Sequence, residues 1–145
     1  MLLLLFKLGE RRYALETTAI TAVLPLPELD PAPIGPDGLA GLLRYEGRPV
    51  PVLDLRLLAE GVPCQTAMSS RVILVGGRDG LLGLLAERVT DIAALDVSHA
   101  LAELTRSPGR DWLDSEVYED EEGLAQRVRW PALLTPELRA LASPP

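Results

Sequence analysis

The chain has 145 residues, 48% of them hydrophobic, and a formal net charge of −7, enough for one domain or two small units sharing a core. Its cations are scattered among acids, so the clustered positive charge that nucleic-acid phosphates require is missing. The single cysteine, Cys64, can close no disulfide within the chain, no Cys/His spacing suits zinc, and a reducing compartment is expected.

The opening run MLLLLF is far shorter than the ~20 apolar residues of a membrane helix. It has no cationic segment before it and no small-residue cleavage site after it, so it reads as a buried first strand. No other run approaches membrane length, and the expectation is a cytoplasmic protein without direct membrane insertion. LLLLFKL, GERR and YALETTAITAVLPL then read as strand, tight turn and second strand, with Gly9 supplying the permissive backbone. PELDPAPIGPDG is too rich in Pro, Gly and Asp to sustain helix or central strand and is a loop. LAGLLRYE and GRPVPVLDL are two further extended pieces around Gly47, and Pro49 and Pro51 require their missing amides to face a gap or an edge.

Arg56 to Glu60 fit one helical turn stopped by Gly61 and Pro63, followed by a small-residue linker near 61–70. RVILVGGRDGLLGLLAERVTDIAALDV is the clearest hairpin, with β-prone residues continuing beyond it. From Trp112 to Trp130 the chain reads as an acidic loop, a turn at Glu122 and Gly123, and a last strand LAQRVRW. PALLTPELRALA closes it as a short C-terminal helix, with Pro136 in its first turn and Leu138 and Leu141 on one face. No internal repeat is visible. Many short strands make the fold mainly β, a sandwich or small barrels.

Chemistry-bearing motifs are few. His99 is the only histidine, and no nucleophile setting accompanies it. GGRDGLLG lacks the Gly-Lys-Ser/Thr of a phosphate loop and precedes a strand, so it reads as a hairpin turn. DWLDSEVYEDEEG does not have the ligand spacing of a calcium loop and reads as a solvated acidic loop. Asp54, between Leu53 and Leu55, could act as a general base, but no second titratable group stands at a characteristic spacing. Its other reading is structural, with the carboxylate accepting backbone amides at a strand end. No catalytic residue, metal or cofactor is expected.

FKLGERRYAL, ITAVLPLP, GLLRYEGRPVPVLDLR, SRVILV and GLLGLLAERVTDI, in this order and spacing, resemble the CheW-like domain of bacterial chemosensory coupling proteins over nearly the whole chain. The resemblance implies a single domain, 1–145, of two intertwined SH3-like five-stranded β-barrel subdomains with a short C-terminal helix. It implies no enzymatic activity. The implied role is an adaptor between the regulatory CheW-like domain of a CheA-type histidine kinase and the cytoplasmic tip of a methyl-accepting chemoreceptor, recruited to receptor clusters at the inner membrane. Ile20, Val23 and Leu24, with Arg44, Tyr45, Glu46 and Arg48, form the candidate partner-facing set, against the plainer reading that the three aliphatics fill a barrel. Three positions depart from the family pattern. Glu46 stands where the family has arginine at a position associated with receptor coupling, Ala22 where it has glutamate, and Glu87 where it has aspartate. These departures suggest a specialised coupling protein, as in a Wsp-type pathway. The alternatives are a regulatory β-barrel that senses a small ligand between its halves, and a small hydrolase using Asp54 or His99.

Overall fold

The five consecutive apolar residues Leu2 to Phe6 belong to a strand that is covered on both faces, which is why they show no alternation. In the computed structural model, which describes residues 1–32, 35–77, 80–96 and 111–142, β1 (Leu2–Leu8) turns its even-numbered residues Leu4, Phe6 and Leu8 into the main core. Leu3 and Leu5 enter a smaller core with Ala14, Tyr118 and Ala125. Burying each such leucine or phenylalanine contributes roughly 1.5–3 kcal/mol.

The described residues form ten strands, mainly antiparallel. After β1 come β2 (Arg11–Glu16), a 3-10 turn (Thr17–Ala19), β3 (Ile20–Pro25), β4 (Leu39–Tyr45), β5 (Arg48–Asp54) and the helix α1 (Leu55–Glu60). The second half runs through β6 (Arg71–Gly77), β7 (Gly80–Ala86), β8 (Arg88–Ala94), β9 (Leu113–Asp120), β10 (Gly123–Val128), a 3-10 turn (Trp130–Leu133) and α2 (Pro136–Ala142). They form two five-stranded sheets, ordered β8-β1-β2-β10-β9 and β3-β6-β7-β5-β4, the mainly β, twin five-stranded architecture that was expected.

No repeat shows in the sequence, yet the strand orders repeat. Each sheet is a hairpin flanked on one side by a strand borrowed from the other half and on the other by a second hairpin, whose inner strand runs parallel to it. β3 leaves the first sheet to pair with β6, and β8 leaves the second to pair with β1. Beyond β3, Asp30 pairs with Leu42 of β4 through two 2.8 Å backbone bonds, tying the two edges of the second sheet together. β5 pairs with β7 only from Val52 onward, so Pro49 and Pro51 sit where β5 has β4 alone as its neighbour.

Three expectations are corrected. YALETTAITAVLPL is not one strand: it breaks at Thr17–Ala19, where the chain changes sheets. The acidic stretch from Leu113 to Asp120 is β9, not a loop, and Val117 and Tyr118 within it are fully buried. Its many carboxylates masked two apolar residues that side-by-side pairing with β10 places in the interior. PALLTPELRALA is split in two, because Pro136 starts a new helix rather than continuing the turn before it. The helical turn at Arg56 is present as α1, closed by Gly61 in the left-handed conformation with φ +76°.

Candidate partner-binding surfaces

The connection from β7 to β8 is a single residue, Glu87, and it is bonded to both sheets. Its carboxylate accepts the backbone N–H of Gly9 in the β1–β2 turn, that of Gln65 at 2.7 Å, and Nη1 of Arg56 at 2.8 Å. Its carbonyl accepts the Ser69 hydroxyl at 3.3 Å. Arg56 also donates Nε to Glu60 at 2.8 Å. Burial pushes the Glu87 carboxyl up, but the two amides and the guanidinium outweigh it and hold the group below its ordinary value.

Asp54, at the end of β5, has the structural role. It is the N-cap of α1, accepting Leu57 N–H at 3.0 Å, and it accepts Cys64 N–H at 3.0 and 3.2 Å. The Cys64 thiol is buried against the Leu85 carbonyl at 3.6 Å, and burial pushes its pKa far up, so it is held as the neutral thiol. Both groups fix Cys64 against the end of β5 and β7. His99 lies outside the described residues, as do Arg78 and Asp79 of the glycine-rich turn. Among the described residues no group of three or more His, Cys, Asp or Glu is placed to hold a metal ion, and no helix is long and apolar enough to cross a membrane.

The candidate residues fall at two places. β3 is an edge strand with alternating exposure: Val23 faces outward, 39% exposed, while Ile20 and Leu24 are half-buried and pack on the main core. Arg44, Glu46 and Arg48 are exposed around the β4–β5 turn, and Tyr45 packs against the core. Arg44 Nε pairs with Asp30 at 3.2 Å. Tyr45 opposes Arg48, so Glu46 and Gly47 form a two-residue turn with φ +50° and +78°, the type I′ geometry suited to Asn-Gly. Among the described residues Glu46 is the only non-glycine with positive φ. β3 and β4 are the two edge strands of their sheet, and the Asp30–Leu42 bridge beyond β3 ties those edges together.

Sequence reasoning did not single out Leu2 and Ile92. Leu4 opposes Ile92 across β1 and β8, and Leu2 lies two residues from Leu4, so both side chains occupy one face of the sheet, 52% and 56% exposed. In the sequence Leu2 is hidden in a leucine run. Only the placement of β8 at the sheet edge marks Ile92.

The class is therefore a strand-exchanged, twin-sheet β domain whose outward features are sheet edges and turn tips. The chain belongs to the CheW-like domain family, whose model matches residues 2–135. Among solved structures it is similar to the scaffolding protein TtCheW from Thermoanaerobacter tengcongensis, with a TM-score of 0.71 and 18% identity, over 88% of this chain and 82% of that one. That likeness establishes the shared fold. Among curated proteins no relative matches.

Proposed function

We propose that this chain is a non-enzymatic coupling protein that links methyl-accepting chemoreceptors to a CheA-type histidine kinase, working in the cytoplasm at receptor clusters of the inner membrane. Family membership over residues 2–135 supports the role. The observation that carries it to particular residues is the exposure of two features borne by the edge strands of the second sheet, the outer face of β3 and the β4–β5 turn. An adaptor must hold two partners at once, which needs contacts that do not overlap. Val23 offers an apolar contact on an unpaired edge. The turn offers charges of both signs, which suit recognition and discrimination more than raw affinity.

The test uses the purified chain with a CheA-type regulatory domain and a receptor-tip fragment, measured by calorimetry. Val23→Lys and Glu46→Arg are each expected to weaken one partner about tenfold or more and to leave the other unaffected, with unchanged melting temperatures. Unchanged binding of both partners by both variants would remove these residues from recognition.

A further inference from the structure

We infer that Met68 is a site of reversible oxidation by hydroperoxides, through which the surface at the end of β3 changes from apolar to polar. The chain holds three sulfur atoms, in Cys64, Met1 and Met68, and the fold treats each differently. The Cys64 thiol is buried against the Leu85 carbonyl and stays neutral, without the thiolate that reacts. Met1 is 57% exposed, but its Sδ lies 3.5 Å from the hydroxyl of the fully buried Tyr118, so its sulfur is turned to the small core. Met68 is 97% exposed. A thioether needs no deprotonation to react, so access decides which of the two methionines is attacked.

Met68 is held out by bonds that its side chain does not make. In the turn before β6, Ala67 N–H donates to the Ser70 hydroxyl at 2.9 Å, that hydroxyl donates to the Gln65 carbonyl at 3.2 Å, and Ser70 N–H donates to the Ala67 carbonyl at 3.0 Å. The Met68 carbonyl accepts Nη1 of Arg71 at 2.7 Å. Ser70, buried at the centre of this turn, anchors it. The backbone is therefore fixed whatever the state of the sulfur, and oxidation at Met68 leaves the fold unchanged.

The chemistry is a two-electron transfer. The sulfur attacks one oxygen of the hydroperoxide, and the S–O bond forms as the O–O bond breaks. The proton on the transferred oxygen passes to the leaving oxygen, which departs as water or an alcohol; sulfur is oxidised and peroxide reduced. Two thiols of a sulfoxide reductase reverse the step, closing to a disulfide and releasing the oxygen as water. The new S=O dipole stands where Met68 lines a shallow recess with Pro25, Leu26, Thr66 and Ala67, none of them charged. Pro25 lies two residues from Val23 on the outer face of β3, so the modified side chain borders the surface assigned above to a partner. A sulfoxide there holds water and meets an apolar contact less well than a thioether does. That consequence rests on the coupling role; the oxidation itself does not.

The experiment treats the purified full chain with hydrogen peroxide and follows each sulfur by peptide mass mapping. Met68 is expected to gain one oxygen about tenfold faster than Met1, with Cys64 unmodified over the same period, and the melting temperature should not move. Calorimetry with the CheA-type regulatory domain and the receptor-tip fragment then compares the oxidised chain, Met68→Gln and peroxide-treated Met68→Leu. The first two should bind one partner about threefold or more weakly, and the third should bind both as the parent does. A methionine sulfoxide reductase with dithiothreitol should restore the oxidised chain. Oxidation of Met1 or Cys64 as fast as Met68, or a lowered melting temperature of the chain oxidised at Met68, overturns the site. Unchanged binding of both partners by the oxidised chain overturns the switch of surface, and β3 is lost as a partner surface with it only if Val23→Lys also binds both as before. Equal weakening of the treated Met68→Leu chain traces the effect to another residue and overturns it too.

Discussion

At Glu87 the passage between sheets is bonded to backbone amides, whereas at Glu16 the bond found among the described residues is to a side chain, Arg127. Glu87 and Glu16 stand two residues beyond Leu85 and Ala14, the last residues paired with the parallel strand, and each is bonded to an arginine, Arg56 of α1 and Arg127 of β10. One is completed by the Gly9 and Gln65 amides and is a fixed joint. The other ends in an open pocket. The same topology thus yields a joint where 61–66 returns over it and, among the described residues, a pocket at the other passage. The interiors differ in the same way. The second sheet draws on many aliphatic residues in the main core, while the small core of the first sheet holds one large side chain, Tyr118, among leucines and alanines.

That contrast predicts the largest effect. Tyr118→Ala is expected to cost about 3–5 kcal/mol, measured by denaturant unfolding, since no neighbour in the small core is large enough to fill the space. Tyr118→Phe should cost only about 0.5–1.5 kcal/mol, because it removes just the hydroxyl that bonds Glu116 at 3.3 Å. Near-equal losses in the two variants would mean that the ring is not what holds this interior.

The two crossovers come next. Glu87→Gln is expected to cost about 2–3 kcal/mol near neutral pH, because it weakens three bonds to one carboxylate. Glu16→Gln should cost about 1 kcal/mol or less, because its partner keeps two other carboxylates and the pair is partly exposed. Their pH dependence separates them further. The folded Glu87 pKa lies below its ordinary value of 4.5, so the stability it contributes is complete above that value and is lost as pH falls through the folded pKa. Melting curves of the parent and of Glu87→Gln should therefore converge in acid. A constant gap down to low pH would show that the cost arises from packing and not from charge.

These distinctions bear on what the chain reveals before it folds. Asp54 was legible as a carboxylate accepting backbone amides at a strand end, because no second titratable group stood near it in sequence, but its place as the cap of α1 was not. The covered first strand was legible from its unbroken leucines. The strand exchange was not: Thr17–Ala19 contains no proline or glycine, and what breaks the strand is the pull of β6 on β3, a contact between residues about fifty apart in sequence. β9 was hidden because charge dominates its composition while only Val117 and Tyr118 determine its burial. The pocket at Glu16 could not be read at all. It is lined by Glu16, Asp114, Arg127 and Trp130 among others, residues far apart in sequence that only the pairing of β10 with β2 and β9 brings together.

The smallest effect concerns the outer hairpins, which solve one turn problem in two ways. In the β9–β10 turn Asp120 opposes Gly123, and the Asp120 carboxylate accepts Glu122 N–H at 2.9 Å while Arg12 grips it from the side at 2.6 and 2.7 Å. Neither Glu121 nor Glu122 has positive φ. In the β4–β5 turn Glu46 does, without the compensation that glycine or asparagine would give. Glu46→Asn should therefore raise stability by about 0.5–1 kcal/mol in a thermal melt, and Glu121→Asn at the matching position of the other turn should not. A residue held at some cost to the fold is expected to work elsewhere, so the stabilised Glu46→Asn chain should also bind one partner less well. Gained stability with undiminished binding of both partners would leave Glu46 a mere misfit in its turn and would return that surface to Arg44 and Arg48.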